Sequence, residues 1–234
     1  YAACLGYGGG SILRIEAGTK EIRFFAWGIG VANSLVVSKD ATHLWVSDCR
    51  SSGRLLRYPL GGTLPARPDA VVTGLDHPSG IAFGKEQSAL YAAETYSGNI
   101  AHIDIAGEKP QIERVISLKG SFAMGSLDDL AFDPRDAERR FLYVAENMRG
   151  IFTVVDLRGR PPRAIKSFHL AQMAGRLCPA SMVIHDGYLY FTDVWACSPL
   201  RILLGMPRWH NHVYRFRVLD LSSLYTTETR AAAF

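Results

Sequence analysis

Asn33-Ser-Leu-Val-Val-Ser-Lys-Asp-Ala-Thr-His-Leu-Trp-Val-Ser-Asp-Cys-Arg-Ser-Ser-Gly-Arg-Leu-Leu-Arg-Tyr-Pro-Leu60 is the segment whose reading decides the fold. It holds an apolar run from Ser34 to Ser38, a polar turn at Lys39-Asp40 and a second run from Leu44 to Ser47. A turn from Asp48 to Gly53 then leads into an alternating run from Arg54 to Leu60. Turns this short join only neighbouring strands of opposite direction, so the segment reads as an antiparallel meander.

The same grammar returns downstream. Ser79-Gly-Ile-Ala-Phe83, Leu90-Tyr-Ala-Ala-Glu94 and Gly98 to Ile105 repeat it, as do Asp128-Asp-Leu-Ala-Phe132, Leu142-Tyr-Val-Ala-Glu146 and Gly150 to Leu157. A fourth copy is Ala180-Ser-Met-Val-Ile184, Leu189-Tyr-Phe-Thr-Asp193 and His212 to Arg217. The acid closing the second strand recurs at 48, 94, 146 and 193, in steps of 46, 52 and 47 residues. A period of that length, with several strands per unit, marks an all-β propeller of four-stranded antiparallel blades.

Over residues 1–234 this predicts one propeller domain, with units at about 1–30, 31–76, 77–125, 126–175 and 176–234. The first unit lacks an innermost strand: Tyr1 to Cys4 reads as the end of a second strand, Ser11 to Glu16 as a third and Glu21 to Trp27 as a fourth. Residues 222–234 are a candidate for that strand, which gives five blades. The alternative is a sixth blade outside this sequence. Gly6 to Gly10 lacks the Lys-Ser/Thr of a phosphate loop and reads as a strand connection. Residues 195–211 form a long insert in the last unit, a candidate lid or packing loop.

A net charge of +4, spread without a basic run, gives no footprint for nucleic acid. No apolar stretch reaches the roughly 18 residues of a membrane helix, so no transmembrane segment is expected in this chain. Gly-x-Ser-x-Gly, His-Glu-x-x-His and Cys-x-x-Cys are all absent, which removes the serine-hydrolase, zinc-protease and zinc-ribbon signatures.

In a propeller, the residues opening the inner strands converge at the tunnel mouth. Here they are Asn33, Ser79, Asp128 and Ala180. Asn33, Ser79 and Asp128, with neighbouring Asp129, offer oxygens to a hard cation such as calcium; the competing reading is that they cap turns at the strand entrances. His77, directly before Pro78-Ser79, is the histidine best placed as a general base. Asp48, Glu94, Glu146 and Asp193 are read as scaffold, each accepting backbone N–H bonds at a strand end. The register places Cys4, Cys49, Cys178 and Cys197 in loops on the tunnel-mouth face. Cys178–Cys197 and Cys4–Cys49 are then the sensible disulfides, implying an extracellular or secretory location, with free thiols as the alternative.

The stretch from Val31 to Leu60 resembles the repeat unit of strictosidine synthase-like proteins and the related gluconolactonase, regucalcin and paraoxonase group. NHL-type propellers share that unit. The resemblance implies a calcium ion at the tunnel mouth that polarises a lactone or ester carbonyl. Asn33 matches one of the group's calcium-binding asparagines. Where the resemblance expects an aspartate after the proline of the next unit, this chain has Pro78-Ser79, and the acid comes one unit later, at Asp128. The ring holds no glutamate. Calcium-dependent hydrolysis of a lactone or ester, with Asp128 or His77 activating water, is the leading expectation. The alternatives are a non-catalytic module that binds a protein or small ligand on the upper face, and a metal-free amine–aldehyde condensation whose catalytic glutamate has no counterpart here.

Overall fold

The structure, a computed structural model, describes residues 1–6, 9–118, 127–170, 178–193 and 212–218. The first sheet holds β1 (Ala2–Gly6), β2 (Gly9–Ile15) and β3 (Ile22–Ile29). The second runs β4 (Ala32–Val37), β5 (His43–Asp48), β6 (Gly53–Pro59) and β7 (Ala70–Leu75). β8 (Pro78–Phe83), β9 (Ala89–Glu94), β10 (Asn99–Asp104) and β11 (Gln111–Ser117) form the third. The fourth is β12 (Leu127–Phe132), β13 (Phe141–Glu146), β14 (Ile151–Asp156) and β15 (Arg163–His169). β16 (Pro179–His185), β17 (Tyr188–Asp193) and β18 (His212–Arg217) make the fifth. All pairs are antiparallel between sequence neighbours, as in a five-bladed β-propeller.

β4, β8, β12 and β16 are the inner strands, each packed against the next across the blade boundary. β1 touches β4 as β5 touches β8 and β9 touches β12. It is therefore the second strand of its blade, and the inner position of the first blade is unfilled among the described residues. The 195–211 insert and the 222–234 tail lie outside the described residues.

The apolar runs are explained by burial on both faces of each blade. Leu44, Val46 and Leu56 pack toward the first blade, with Ile12 and Phe25. Trp45 and Leu55, their immediate neighbours in sequence, pack toward the third, with Ile81, Phe83 and Leu90. Likewise Leu142 and Val144 join the cluster between third and fourth blades, whereas Phe141, Tyr143 and Phe152 join the one between fourth and fifth. Successive strand residues point to opposite faces, so a central strand must be apolar at every position. Each Leu, Ile or Phe so buried contributes about 1.5–3 kcal/mol. The outward faces of the end blades are different: Ile22, Phe24 and Trp27 are exposed on the first, Val183 and Val213 on the last.

The four periodic acids are buried and serve the scaffold. Asp48 accepts the N–H of Val31 at 2.9 Å, Glu94 that of Asp76 at 3.0 Å and Asp193 that of Cys178 at 2.8 Å. Each bond ties the end of a second strand to the chain entering the inner strand of its own blade. Arginines neutralise the charge: Arg50 and Arg54 at Asp48, Arg114 at Glu94, Arg149 at Glu146.

The expected Cys4–Cys49 disulfide is not formed; both are free thiols. Cys4 lies inside β1, opposite Ser11, not in the loop that was expected to bring it toward Cys49. No disulfide occurs among the described residues, and the Cys178–Cys197 pairing involves residue 197, outside them.

Replacing Asp48 with Ala leaves the Val31 N–H and two guanidinium groups without their acceptor, and should cost about 3–5 kcal/mol in urea denaturation. Burial works against the Asp48 charge, but the Val31 N–H and the Arg54 and Arg50 guanidiniums outweigh it and hold its pKa below 3.8. The Arg140 guanidinium does the same for Asp156. These depressed values contribute stability that is present above about pH 4 and lost as pH falls through the folded-state pKa values. Denaturant midpoints measured from pH 5 to pH 2 should fall for the wild type and stay flatter for Asp48→Asn.

Candidate functional site at the tunnel mouth

Every complete inner strand opens with the same irregularity. Ala32 faces Asp48 and Leu35 faces Val46, so Asn33 and Ser34 together oppose the single residue Ser47. Ser79 and Gly80 oppose Ala93, Asp128 and Asp129 oppose Ala145, and Ala180 and Ser181 oppose Thr192. These are β-bulges, which re-aim side chains and are common beside functional sites. The first residue of each bulge is one of the four ring positions named from the sequence.

Three of those positions are joined. The Ser79 hydroxyl lies 3.1 Å from Asn33 Oδ1 and 2.9 Å from Asp128 Oδ1, although the residues come from three blades and are separated by 46 and 49 positions. Ser79 has one hydroxyl proton and can donate it to only one of the two. The carboxylate is the stronger acceptor, which leaves two lone-pair-bearing oxygens, Ser79 Oγ and Asn33 Oδ1, facing each other. On the far side, Asn147 Nδ2 donates to Asp128 Oδ2 at 2.9 Å. Asn147 stands in a 3₁₀ turn (Asn147–Arg149) that follows β13 and is closed by Gly150 in the left-handed region (φ 63°). Burial raises the Asp128 pKa, against the pull of the Ser79 and Asn147 hydrogen bonds. Among the described residues no Lys or Arg forms an ion pair with it.

His77 takes a different place. It sits on the loop before β8 with φ 48°, its backbone held between Arg50 and Thr95. Its Nδ1 lies 2.7 Å from Asp76 Oδ1, and its ring meets Tyr96 edge-on at 4.2 Å between centroids. It is half-buried and is two residues from Ser79 in the chain, but none of its bonds reaches the Asn33–Ser79–Asp128 group. Ala180, at the fourth ring position, contributes no side-chain oxygen.

Nothing in the sequence reading pointed to Asn147, although it directly follows a periodic acid, as Cys49 does, a regular position that the repeat itself could have flagged. Burial, reinforced by the Asp128 carboxylate, pushes the Cys49 thiol up to about 11. Asp129, expected from the sequence to add an oxygen to the ring, is used elsewhere: its Oδ1 accepts the Leu130 N–H at 2.9 Å and its Oδ2 accepts the Met182 N–H at 2.7 Å, across the seam to the next blade. Burial raises its pKa to about 7, against those two N–H bonds.

The group Asn33 Oδ1, Ser79 Oγ and Asp128 Oδ1 is all oxygen, the donor type of a hard cation. It supplies three of the six to eight ligands calcium takes, with water for the rest, so the residues fit a weak site. Among the described residues no three His, Cys, Asp or Glu side chains gather as a metal cluster.

No family model and no curated protein matches this sequence. Solved structures do match in fold. A protein from Bacteroides uniformis assigned as a 6-phosphogluconolactonase superposes with a TM-score of 0.57 at 14% identity, over 90% of this chain and 61% of that one. The periplasmic gluconolactonase PpgL of Pseudomonas aeruginosa gives 0.59 at 14% identity, over 79% of this chain and 56% of that one. The Cps50 (Swd1) β-propeller domain of Myceliophteria thermophila gives 0.61 at 14% identity, over 93% and 62%. The fold is a β-propeller, shared with gluconolactonases and with a protein of different name. This chain spans about six-tenths of the length of these neighbours.

Because burial raises the Cys49 pKa and the Asp128 carboxylate adds to that rise, Asp128→Asn should lower the Cys49 pKa. In a variant with Cys49 as the sole cysteine, iodoacetamide alkylation followed from pH 7 to 11 should start at lower pH once Asp128 is neutralised.

Proposed function

We propose that the tunnel mouth hydrolyses a lactone or another ester with the help of a bound calcium ion. The observation that carries this reading is the convergence of Asn33, Ser79 and Asp128 oxygens from three successive blades. The fold shared with gluconolactonases supports it at the level of architecture.

Asn33, Ser79 and Asp128 would hold the ion, which when bound supplies positive charge to the oxygen of a carbonyl under attack. Asn147 fixes the Asp128 carboxylate from behind through Oδ2. Asp76, by accepting from Nδ1 of His77, leaves Nε2 of that ring as the acceptor. His77 then takes a proton from water as the water oxygen bonds to the carbonyl carbon. The ester C–O bond breaks, and the proton passes to the departing alkoxide, giving a hydroxy acid from a lactone. The Tyr96 ring against His77 limits its rotation.

The second reading is a propeller that binds a protein or small ligand without chemistry. It is favoured by the poverty of the ring in charge: a single carboxylate, Asp128, stands at the four ring positions.

At 10 mM calcium the wild type should gain about 1–3 kcal/mol of stability for a dissociation constant of about 0.1–1 mM, read as a rise in melting temperature. Asp128→Asn should abolish that rise. On a lactone panel followed by pH-stat, Asp128→Asn should remove turnover and His77→Ala should lower kcat by about 10²-fold. A wild type that neither hydrolyses any lactone nor responds to calcium supports the binding module.

A further inference from the structure

The bulges at the tunnel mouth interrupt the strand ladders just where Asn33, Ser79 and Asp128 sit, so something other than the ladder must hold them. In the second blade the Ser47 hydroxyl accepts the bulge N–H of Ser34 at 2.9 Å, and in the fifth Thr192 Oγ1 accepts that of Ser181 at 3.1 Å. The fourth blade has Ala145 at the corresponding place, with no hydroxyl to offer. A cap from the neighbouring blade is also used: Ser34 Oγ accepts the Ile81 N–H of the third blade at 3.3 Å. The residue of the third blade that would do this for the fourth is Gly80. A Cβ there would stand 2.4 Å from Asp129 Cα and 2.7 Å from the Leu130 nitrogen, both backbone atoms, so no side chain fits.

The fourth blade thus lacks both devices. We infer that Asp129 replaces them and is the positioning residue for Asp128: its carboxylate, anchored on the Leu130 and Met182 N–H groups, fixes the bulge from which Asp128 reaches Ser79 and Asn147. One oxygen holds its own strand and the other reaches the inner strand of the next blade. The direction of the Asp128 side chain is therefore set by the docking of the fifth blade. Gly80 belongs to the same device, because only a glycine lets the Asp129 carboxylate occupy that space.

This inference deepens the hydrolase reading and rests on it for its kinetic part only. Asp129→Ala removes both acceptors; Asp129→Asn keeps one and turns an amide N–H toward the other donor. With calcium present and at a temperature where all variants are folded, kcat on the best lactone should fall about 10²-fold in Asp129→Ala. KM should stay within about threefold of wild type, the pattern of a group lost only from the transition state. Asp129→Asn should lie between. In a crystal structure of Asp129→Ala, Ser79 Oγ and Asp128 Oδ1 should have separated beyond hydrogen-bond range from their 2.9 Å, and the Met182 amide should exchange faster. Unchanged kcat in folded Asp129→Ala, or a crystal structure with Asp128 unmoved, overturns the proposal. If the wild type shows no turnover and no calcium response, the hydrolase reading falls by itself, and the Asp128–Ser79 separation in Asp129→Ala still decides the positioning role.

Discussion

A carboxylate buried at the end of a second strand, accepting the N–H of the chain as it turns into the inner strand, is the interaction on which this propeller depends. At that point the backbone leaves one blade and enters the next, and its peptide groups pass out of water before the ladder can accept them. A buried N–H without a partner costs about 1–3 kcal/mol. Asp48, Glu94 and Asp193 meet that requirement at Val31, Asp76 and Cys178. Glu146 occupies the matching position and is held by Arg149 and Thr153. Arginines pair with three of them: Arg50 and Arg54 with Asp48, Arg114 with Glu94 and Arg149 with Glu146.

Once the inner strands are fixed at their entrances, a two-for-one bulge follows in the second, third, fourth and fifth blades, and this produces the ring at the tunnel mouth. The bulge turns its first residue out of the ladder, and its second residue serves the blade seam. Ring chemistry and seam chemistry are therefore encoded in adjacent residues. Asn33 is paired in this way with Ser34, Ser79 with Gly80, and Asp128 with Asp129. The fourth blade, which provides the ring's carboxylate, is also the one whose seam residue is an aspartate, Asp129. It has neither the internal hydroxyl of the second and fifth blades nor room for a cap from the third.

The fold was legible because its signal is redundant. Leu44-Trp45-Val46 and Leu142-Tyr143-Val144 are apolar at every position since both blade faces are covered, and the acid that closes each run marks the period. The scaffold role of those acids followed from their place at strand ends. Disulfide pairing was not legible, because a shift of two or three residues moved Cys4 from a loop into β1 and away from Cys49. The convergence at the tunnel mouth was legible in the alignment of the repeats, which named Asn33, Ser79 and Asp128, three side chains that share hydrogen bonds; the partners of His77, Asp76 and Tyr96, were not.

The sequence by itself determined the blade, its period and the residues opening each inner strand, because these depend on alternation and turn chemistry within about fifty residues. Only the tertiary structure decided which openings share hydrogen bonds. That depends on the distance between inner strands at each seam, set by side chains in other blades. Asp129 shows the difference: in the sequence it is a second aspartate beside Asp128, and its role appears only once Gly80, 49 residues earlier, and Met182, 53 residues later, are brought against it. Contacts between blades carry no periodic mark in the chain, since each seam solves the same packing problem with different side chains.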